Sequence, residues 1–324
     1  MARLRRTVTQ GPVADDASLR LRASWLYHSD GLTQKDISER LGISRGTVIR
    51  LLAEAVERGE VQIWIAEGDG DCIELALKLE DAFGLDEAIV VPSASAADQA
   101  TKSIGLALGR FLSEVVADGM TLGVGWGRTL MASLASLRPL RHEGVKVVSL
   151  VGGMVRAEGS NPLEYSWRVA SQFGAQCFLF IAPAFVDSPA TKARLIDKCG
   201  LDELVRLSRS LDLAVFAAGD IGARSTSQAA SMLTAKEIEE LVALGCVGDV
   251  LCNFLDAEGR SVAHPLNKRV MSVDLDDLRK AGHVVIACGG MHRAAAIRAA
   301  IRRIGCNTLI TDEGAARALL AAGR

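Results

Sequence analysis

Four glycine-rich segments, some continuing into hydroxyl or arginine side chains, could hold an anion. They are Gly123-Val124-Gly125-Trp126-Gly127-Arg128-Thr129, Gly152-Gly153, Gly219-Asp220-Ile221-Gly222 and Gly289-Gly290-Met291-His292-Arg293. Several of them follow a short apolar run typical of a buried β-strand. Backbone amides at such glycines, with a hydroxyl from Thr129 and charge from Arg128 or Arg293, predict a phosphate site at the ends of the strands. Gly125 to Gly127 would let the backbone approach the ligand.

A plainer interpretation of these segments stays open, because a glycine after a strand commonly just forms a turn. The order Gly-x-Gly-Trp-Gly is neither a Walker sequence nor the Gly-x-Gly-x-x-Gly dinucleotide pattern. Four such segments on one predicted sheet edge nevertheless favour a small phosphorylated ligand. Asp249 and Asn253, beside an apolar run, could bind ligand hydroxyls, whereas Asp256 precedes Ala257-Glu258-Gly259 and is assigned to a hairpin turn.

Acid and base side chains near these segments raise the alternative of catalysis. The candidates are Asp220, Asp249, Asp312, Glu313 and His292. General acid and base catalysis needs a positioned pair of such groups, and these residues form no recognisable catalytic motif. A carboxylate at a strand end more often binds a hydroxyl or caps a helix. We therefore expect a protein without enzyme activity, with a sugar-phosphate isomerase or deaminase carrying a DNA-binding module as the alternative.

Residues 31–52 predict two short helices joined by a tight turn. Thr33 and Asp36 form a capping-box pattern at the start of the first helix, and Gly42 suits the backbone just past its end. Ser44 is a new N-cap, after which Val48, Leu51 and Leu52 form an apolar stripe. The helix from Leu19 to Tyr27 would complete a three-helix core, and the alternating segment Val61 to Ile65 suggests a wing. A winged helix-turn-helix is the predicted form.

The second capped helix exposes small, hydroxylic and arginine residues rather than a mixture of Glu and Lys, which favours DNA binding over an ordinary helical hairpin. The candidate DNA contacts are Thr33, Gln34, Ser44, Arg45, Thr47 and Arg50. The first 60 residues contain ten Lys or Arg and eight Asp or Glu, against 27 and 31 in the remainder. Arg3, Arg5 and Arg6 could form an additional basic arm, although a short basic terminus is more often a solvated end.

The rest of the chain alternates short apolar runs with helix-like stretches, as in a parallel sheet. The expected strands are 88–91, 120–124, 145–151, 177–181, 213–217, 284–288 and 308–310, and helices are expected at 72–83, 102–116 and 294–304. With Gly68 to Asp71 as a linker, residues 15–67 form the DNA-binding domain and residues 71–324 a single α/β effector-binding and oligomerisation domain.

Composition excludes several classes of protein. At 324 residues, 49% hydrophobic and 23% charged, the chain is typical of a soluble globular protein. No apolar run approaches the ~20 residues of a membrane span, and the basic start lacks the apolar stretch of a signal peptide, so we expect a cytoplasmic protein with no membrane partner. Seven scattered cysteines predict neither disulfides nor a metal site, and no cofactor is expected.

Five motifs in order resemble the SorC family of bacterial sugar-responsive transcription regulators over nearly the whole chain. They are Gly-Leu-Thr-Gln-Lys-Asp-Ile-Ser at 31–38, Gly-Val-Gly-Trp-Gly-Arg-Thr-Leu at 123–130, Gly-Asp-Val-Leu-Cys-Asn-Phe-Leu-Asp at 248–256, Cys-Gly-Gly-Met-His-Arg-Ala-Ala-Ala-Ile at 288–297 and Leu-Ile-Thr-Asp-Glu-Gly at 309–314. The resemblance implies a Rossmann-like parallel-sheet effector domain similar to ribose-phosphate isomerase and glucosamine-phosphate deaminase. It also implies a homotetramer, a dimer of dimers, that regulates a carbohydrate or polyol operon through double-stranded operator DNA and a phosphorylated sugar or polyol.

Carried onto this sequence, the resemblance places the phosphate and the sugar at different residues. Gly125, Trp126, Gly127, Arg128 and Thr129 would lie at the phosphate, and Asp249, Asn253, Arg293, Asp312 and Glu313 around the sugar. Further residues expected at the effector site are Gly123, Gly152, Gly153, Gly219, Gly289 and Gly290. One departure is Arg293, where the family commonly has lysine, because arginine keeps the charge but differs in reach. A DNA-binding protein without a small ligand, the third alternative, would leave this glycine-rich edge without a role.

Overall fold

The computed structural model describes residues 16–61, 69–93, 97–154, 161–222 and 232–322. Two units divide the chain between Ala66 and Glu67, an N-terminal unit and a larger C-terminal unit. The predicted basic arm and all of the predicted wing strand except Val61 lie outside the described residues.

Three helices form the described part of the N-terminal unit: α1 (Asp16–His28), α2 (Gln34–Leu41) and α3 (Arg45–Glu57). Their shared core consists of buried apolar side chains from all three helices, namely Ala23, Leu26, Ile37, Val48, Leu51 and Leu52. Each predicted cap is present. The Thr33 hydroxyl accepts from the Asp36 N–H, Gly42 ends α2 in the left-handed conformation at φ 67°, and the Ser44 hydroxyl accepts from the Thr47 N–H. The predicted helix-turn-helix is confirmed.

A seven-stranded parallel sheet forms the centre of the C-terminal unit. Its strands are β1 (Glu87–Val91), β2 (Thr121–Val124), β3 (Lys146–Ser149), β4 (Gln176–Phe178), β5 (Leu213–Phe216), β9 (His283–Ala287) and β10 (Thr308–Asp312), in the spatial order β1-β10-β9-β5-β2-β3-β4. All seven strands expected from the apolar runs are present. Because every neighbouring pair is parallel, the carboxyl ends of all seven strands lie at one edge.

Helices lie on both faces of this sheet, and others pack elsewhere in the unit. In the described residues they are α4 (Asp69–Phe83), α5 (Ala97–Val115), α6 (Arg128–Ser133), α7 (Pro162–Phe173), α8 (Pro189–Lys198), α9 (Asp202–Leu207), α10 (Ala235–Ala243), α11 (Pro265–Arg269), α12 (Leu275–Leu278), α13 (Ala294–Ile304) and α14 (Glu313–Ala321), and a 3₁₀ turn spans Met291–Arg293. Successive side chains along a strand point to opposite faces of the sheet, so the strands contribute to two separate cores. Ile286 and Leu309 pack in one core, and Val285 and Ile310 pack in the other. α4 begins at Asp69, so the predicted linker at 68–71 is helical from that residue.

A second, antiparallel sheet was not predicted. It contains β6 (Ala218–Asp220), β7 (Cys246–Val250) and β8 (Asn253–Asp256) in that spatial order. Asp256 ends β8, and its carboxylate accepts the N–H groups of Glu258 and Arg260, as expected for a turn residue. β6 begins two residues after β5 ends, so this small sheet starts at the carboxyl edge of the large one. Within the described part of the chain, no helix has the length and apolar character to cross a membrane.

Matching capping boxes occur in the two units, at Thr33–Asp36 before α2 and at Thr234–Glu237 before α10. We expect Thr33→Ala to remove about 1 kcal/mol of local stability, because the first turn of α2 loses its side-chain acceptor. Native-state hydrogen exchange of the α2 amides measures this loss. Thr234→Ala is the matched control and should leave α2 exchange unchanged; equal exchange of α2 in both variants would contradict the prediction.

Candidate functional site

The chain reverses its direction of progress across the large sheet between β2 and β5. After β2 it adds β3 and β4 on one side, and from β5 it adds β9 and β10 on the other. Crevices outside the carboxyl ends of strands at such a switch point are where open α/β sheets bind ligands. The segments 125–129 and 217–220 flank this point, and the segments after β9, β10 and β3 follow on adjacent strands. The structure therefore brings the predicted glycine-rich segments together on one edge.

Two glycines of the β2 segment are explained by packing within the protein. A Cβ at Gly123 would lie 2.5 Å from Leu211 Cδ1, and one at Gly125 would lie 2.9 Å from Phe216 Cβ and 3.0 Å from Leu251 Cδ2. Gly125 thus makes room for protein atoms, and its predicted contact to the ligand through the backbone stays a prediction. Gly152 has the same role, since its Cβ would lie 2.6 Å from the Ala182 carbonyl oxygen.

Gly127 differs from these packed glycines. Its φ of 132° is open to glycine alone, and a Cβ there would have only Ala217 Cβ, at 4.0 Å, within contact range among the described residues. It stands at the N-cap of α6, where no described side chain provides a capping hydrogen bond. Arg128 is exposed beside it, whereas Thr129 and Trp126 are buried, the indole within the core.

Asp312 occupies the corresponding position at the end of β10. Its Oδ2 accepts the Gly290 N–H at 2.5 Å and its Oδ1 accepts the Ala315 N–H at 2.8 Å, so one buried carboxylate caps α14 and ties it to the segment after β9. A Cβ at Gly289 would lie 2.2 Å from this Oδ2. The backbone amides at this end of the edge therefore already have an anionic partner within the protein.

The next residue, Glu313, contacts its own helix. Its Oε1 accepts from Arg317 Nη2 at 2.7 Å, and this hydrogen bond holds the pKa of the Glu313 carboxyl below its ordinary value. The side chain is half-buried. Its role around a sugar stays a prediction, with Arg317 as the observed partner.

Arg293 and Asp220 form an ion pair on the segments after β9 and β5. Arg293 Nε lies 3.3 Å from Asp220 Oδ1, Arg293 Nη1 donates to the Gly289 carbonyl at 3.0 Å, and the paired side chains are 13% and 12% exposed. The guanidinium therefore has a fixed position at the switch point. In the sequence, Asp220 was considered only as a catalytic base. Its place at the end of β6, four residues after β5 and beside Gly219, is the signal for including it in the candidate site.

Asp249 and Asn253 support the hairpin between β7 and β8. The two turn residues, Leu251 and Cys252, have φ of 51° and 63°, a conformation that non-glycine residues rarely adopt. Asp249 Oδ2 accepts the Cys252 N–H at 2.9 Å, and Asn253 Nδ2 donates to the carbonyls of Val250 and Leu251. Both side chains thus hold the turn whose Leu251 packs at Gly125, and their predicted contacts to ligand hydroxyls remain predictions.

Two further reactive side chains near this edge are Cys288 and His292. Burial raises the pKa of the Cys288 thiol to about 11, so the protonated form predominates at neutral pH. His292 is exposed on the 3₁₀ turn. Across the described residues, no cluster of three His, Cys, Asp or Glu side chains could hold a metal ion.

The candidate DNA contacts lie together around the starts of α2 and α3. Gln34 Oε1 accepts from Arg45 Nε at 3.4 Å across the two helices, and the Ser44 and Thr47 hydroxyls are 2.8 Å apart. The hydroxyl groups of Thr33 and Ser44 also cap the two helices. Arg50 Nη1 lies 2.5 Å from Glu54 Oε1, and Arg50 Nη2 lies 3.4 Å from Asp16 Oδ1. These ion pairs of Arg50 were not predicted.

Comparisons with known proteins match both units. A family model described as "Putative sugar-binding domain" matches residues 70–321, and one described as "MarR family" matches residues 23–70. The erythritol catabolism regulatory protein EryD of Brucella abortus is 30% identical over 309 residues, covering 95% of this chain and 97% of that protein. The transcriptional regulator LsrR of Klebsiella pneumoniae is 32% identical over 306 residues, covering 93% and 92%.

A solved structure agrees with the fold over nearly the whole chain. The full-length sorbitol operon regulator SorC from Klebsiella pneumoniae aligns with a TM-score of 0.76 and 25% identity, covering 95% of this chain and all of that one.

Gly289→Ala tests whether Asp312 needs the space beside Gly289. The added methyl would collide with the buried carboxylate, and we expect a loss of about 1–3 kcal/mol in the free energy of unfolding, measured by urea denaturation. Gly245→Ala is the control: φ there is 79° and a Cβ would have none of the described atoms within 4 Å, so it reports backbone strain alone. A loss well below about 1 kcal/mol at Gly289 would show that the segment after β9 moves to make room for the methyl group.

Proposed function

The chain belongs to the SorC family of sugar-binding transcriptional regulators, and on that premise we propose that its DNA affinity is set by a small phosphorylated sugar or polyol. The effector would bind at the carboxyl edge of the large sheet, around the switch point between β2 and β5. The observation that carries this proposal is the exposed Arg128 beside Gly127, at the same edge of the sheet as the largely buried Arg293–Asp220 pair.

The distribution of anions within the protein supports one orientation of the effector. Asp312 supplies a carboxylate to the amides of Gly290 and Ala315, and a phosphate there would meet like charge. At Gly127 and Arg128 the protein supplies a cation and an N-cap without a described side-chain partner. We therefore assign the phosphate to residues 127–129 and the hydroxyl groups to the Asp220–Arg293 end.

The regulatory step is a linkage between two binding equilibria. If the effector binds one arrangement of the subunits more tightly, it shifts the population toward that arrangement, and DNA must alter effector affinity by the same factor. The DNA-binding surface is the start of α3, with Arg45, Thr47 and Arg50, supported by Thr33, Gln34 and Ser44. Paired copies of this surface would bind half-sites one helical turn or more apart.

A regulatory role without catalysis is supported by what the acidic groups do. Asp312 caps α14, Asp249 holds the β7–β8 turn and Asp220 pairs with Arg293. Each carboxylate at the edge therefore has a structural partner, whereas general base catalysis needs one aimed at a substrate proton. Turnover of ribose phosphate or glucosamine phosphate by the purified chain would overturn this part of the proposal.

We expect operator binding to respond to the phosphate ester of a sugar or polyol and not to the free compound. The measurement is a gel-shift titration on duplex selected by the purified chain from a random library, across a panel of such pairs. Arg128→Ala should abolish the response while leaving operator affinity within about twofold, since it removes the cation assigned to the effector phosphate and lies outside the helix-turn-helix unit.

Arg168→Ala is the matched control for this titration, because it removes an exposed arginine of α7 that pairs with Glu164. Its response should equal that of the unmodified chain. Unchanged DNA binding with every phosphate ester in the panel, or an unaltered response in Arg128→Ala, would count against the proposed effector site.

The proposed assembly is a dimer of dimers, because helix-turn-helix proteins read paired half-sites and closed symmetric oligomers are the common solution. Sedimentation equilibrium of the full chain at micromolar concentration should give four times the 34.3 kDa chain mass. A monomer that still binds its selected duplex with full affinity would exclude this assembly.

A further inference from the structure

A chain of five alternating charges joins α1, α3 and the residues after α3. Arg20 donates to Glu60 from Nε at 2.6 Å and from Nη2 at 2.5 Å, and its Nη1 lies 3.8 Å from Glu54 Oε2. Glu54 also pairs with Arg50 at 2.5 Å, and Arg50 reaches Asp16 at 3.4 Å. The guanidinium of Arg50 is therefore placed between one carboxylate of its own helix and one of α1.

The two ends of this chain of charges differ in exposure. Arg20 is 3% exposed and donates two hydrogen bonds to Glu60, so the end of the chain of charges at Arg20 and Glu60 is fixed. At the outer end the side chains of Arg50 and Asp16 are 49% and 59% exposed, and their contact is the longer of the two that Arg50 makes with carboxylates. An exposed ion pair contributes little stability, so another anion can replace Asp16 at small cost.

The surroundings of Arg50 leave it accessible on the side opposite the core. Val48, Leu51 and Leu52 are buried, which places Arg50 on the outer face of α3. Gly46 one turn before it and Ala53 one turn after it are both exposed and small. A Cβ at Gly46 would meet only Ser44 Oγ, at 3.8 Å, among the described residues, so there is open space on α3 at this position.

We propose that Asp16 occupies, in the free protein, the position beside Arg50 that a DNA phosphate takes in the complex. This inference rests on the proposed DNA-binding function and assigns one of its determinants. A phosphodiester carries the same single negative charge as the carboxylate and presents equivalent acceptor oxygens. Glu54 lies nearer to Arg50 than Asp16 does and is less exposed, so it stays in contact and orients the guanidinium. Asp16 alone is replaced by the phosphate.

The consequence is a lower affinity for duplex DNA of any sequence. Phosphate contacts carry no sequence information, and they supply most of the non-specific binding energy. A carboxylate that competes with phosphate for Arg50 therefore weakens binding to every sequence alike, operator included. Asp16 thus lowers the overall affinity for duplex DNA without contacting a base.

The test uses the full chain and a mixed-sequence 40-base-pair duplex, with binding followed by fluorescence anisotropy between about 50 and 200 mM salt. Asp16→Asn should bind this duplex about two- to fivefold more tightly, the range of an exposed ion pair. The affinity of this variant should also fall more steeply with salt. In the unmodified chain, the freed Asp16 carboxylate takes up a cation when Arg50 moves to the phosphate, and this uptake offsets part of the counterion release from DNA; the variant lacks that carboxylate. In the Asp16→Asn background, Arg50→Ala should flatten the salt dependence by about one ion.

Glu57→Gln is the matched control, since it removes the same charge from the outer part of α3 and takes no part in the ion pairs described for Arg50. Both single substitutions reduce general repulsion from DNA, but only Asp16→Asn should show the additional gain. In an Arg50→Ala background the gains from Asp16→Asn and Glu57→Gln should become equal. A structural role of Asp16 in α1 would not produce this dependence on Arg50.

The outcomes separate the inference from the function on which it rests. If Asp16→Asn and Glu57→Gln change affinity equally in the unmodified background, or if the extra gain survives in Arg50→Ala, the exchange is refuted while DNA binding stands. If the unmodified chain binds neither this duplex nor any duplex selected from a random library, the proposed function itself fails.

Discussion

The carboxylate of Asp312 fixes the part of the fold on which the effector edge depends. It accepts backbone N–H groups from the segment after β9 and from α14, and so sets the relative positions of the ends of two neighbouring strands. A buried carboxylate without such donors would be strongly unfavourable, and charge-assisted hydrogen bonds offset that cost. Because Arg293 lies three residues after Gly290, the geometry of its pair with Asp220 depends on the same interaction.

In both units, carboxylates of the protein position an arginine of the proposed binding surface. Arg293 pairs with Asp220 at the sheet edge, and Arg50 pairs with Glu54 and Asp16 on α3. A guanidinium that is already oriented loses less side-chain freedom when it binds, which favours specific over diffuse recognition. The internal carboxylate also competes with the ligand anion. Orientation and competition are two effects of one contact, and exposure decides which is larger: the pair at the edge is mostly buried, whereas the one with Asp16 is mostly exposed.

Features encoded by neighbouring residues could be predicted from the sequence. The caps at Thr33 and Ser44 and the left-handed glycine at Gly42 are local, and all three were predicted correctly. The seven strands of the large sheet were also predicted, because strands buried on both faces are continuous apolar runs. Since parallel strands align their carboxyl ends, the gathering of the glycine-rich segments at one edge followed from that prediction.

What the sequence concealed depends on tertiary placement or on unusual backbone. The β7–β8 hairpin turns at Leu251 and Cys252, without the Asn-Gly or Asp-Gly signal by which such turns are recognised, so the small sheet was missed. The pair of Asp16 with Arg50 joins residues 34 positions apart, and no local spacing predicts it. Gly125 seemed suited to a ligand, but only the structure shows that Phe216 and Leu251 fill the space beside it.

The division of the glycines bears on how this protein can diverge. At Gly123, Gly125, Gly152 and Gly289 any added side chain would collide with atoms of the protein's own interior. Mutation cannot reshape the sheet edge at these positions without first disrupting the packing beside them. In the proposed site, new chemical preferences must therefore arise through its side chains, chiefly Arg128, Asp220 and Arg293. A descendant that recognises a different metabolite can thus keep the same scaffold and differ at a handful of codons.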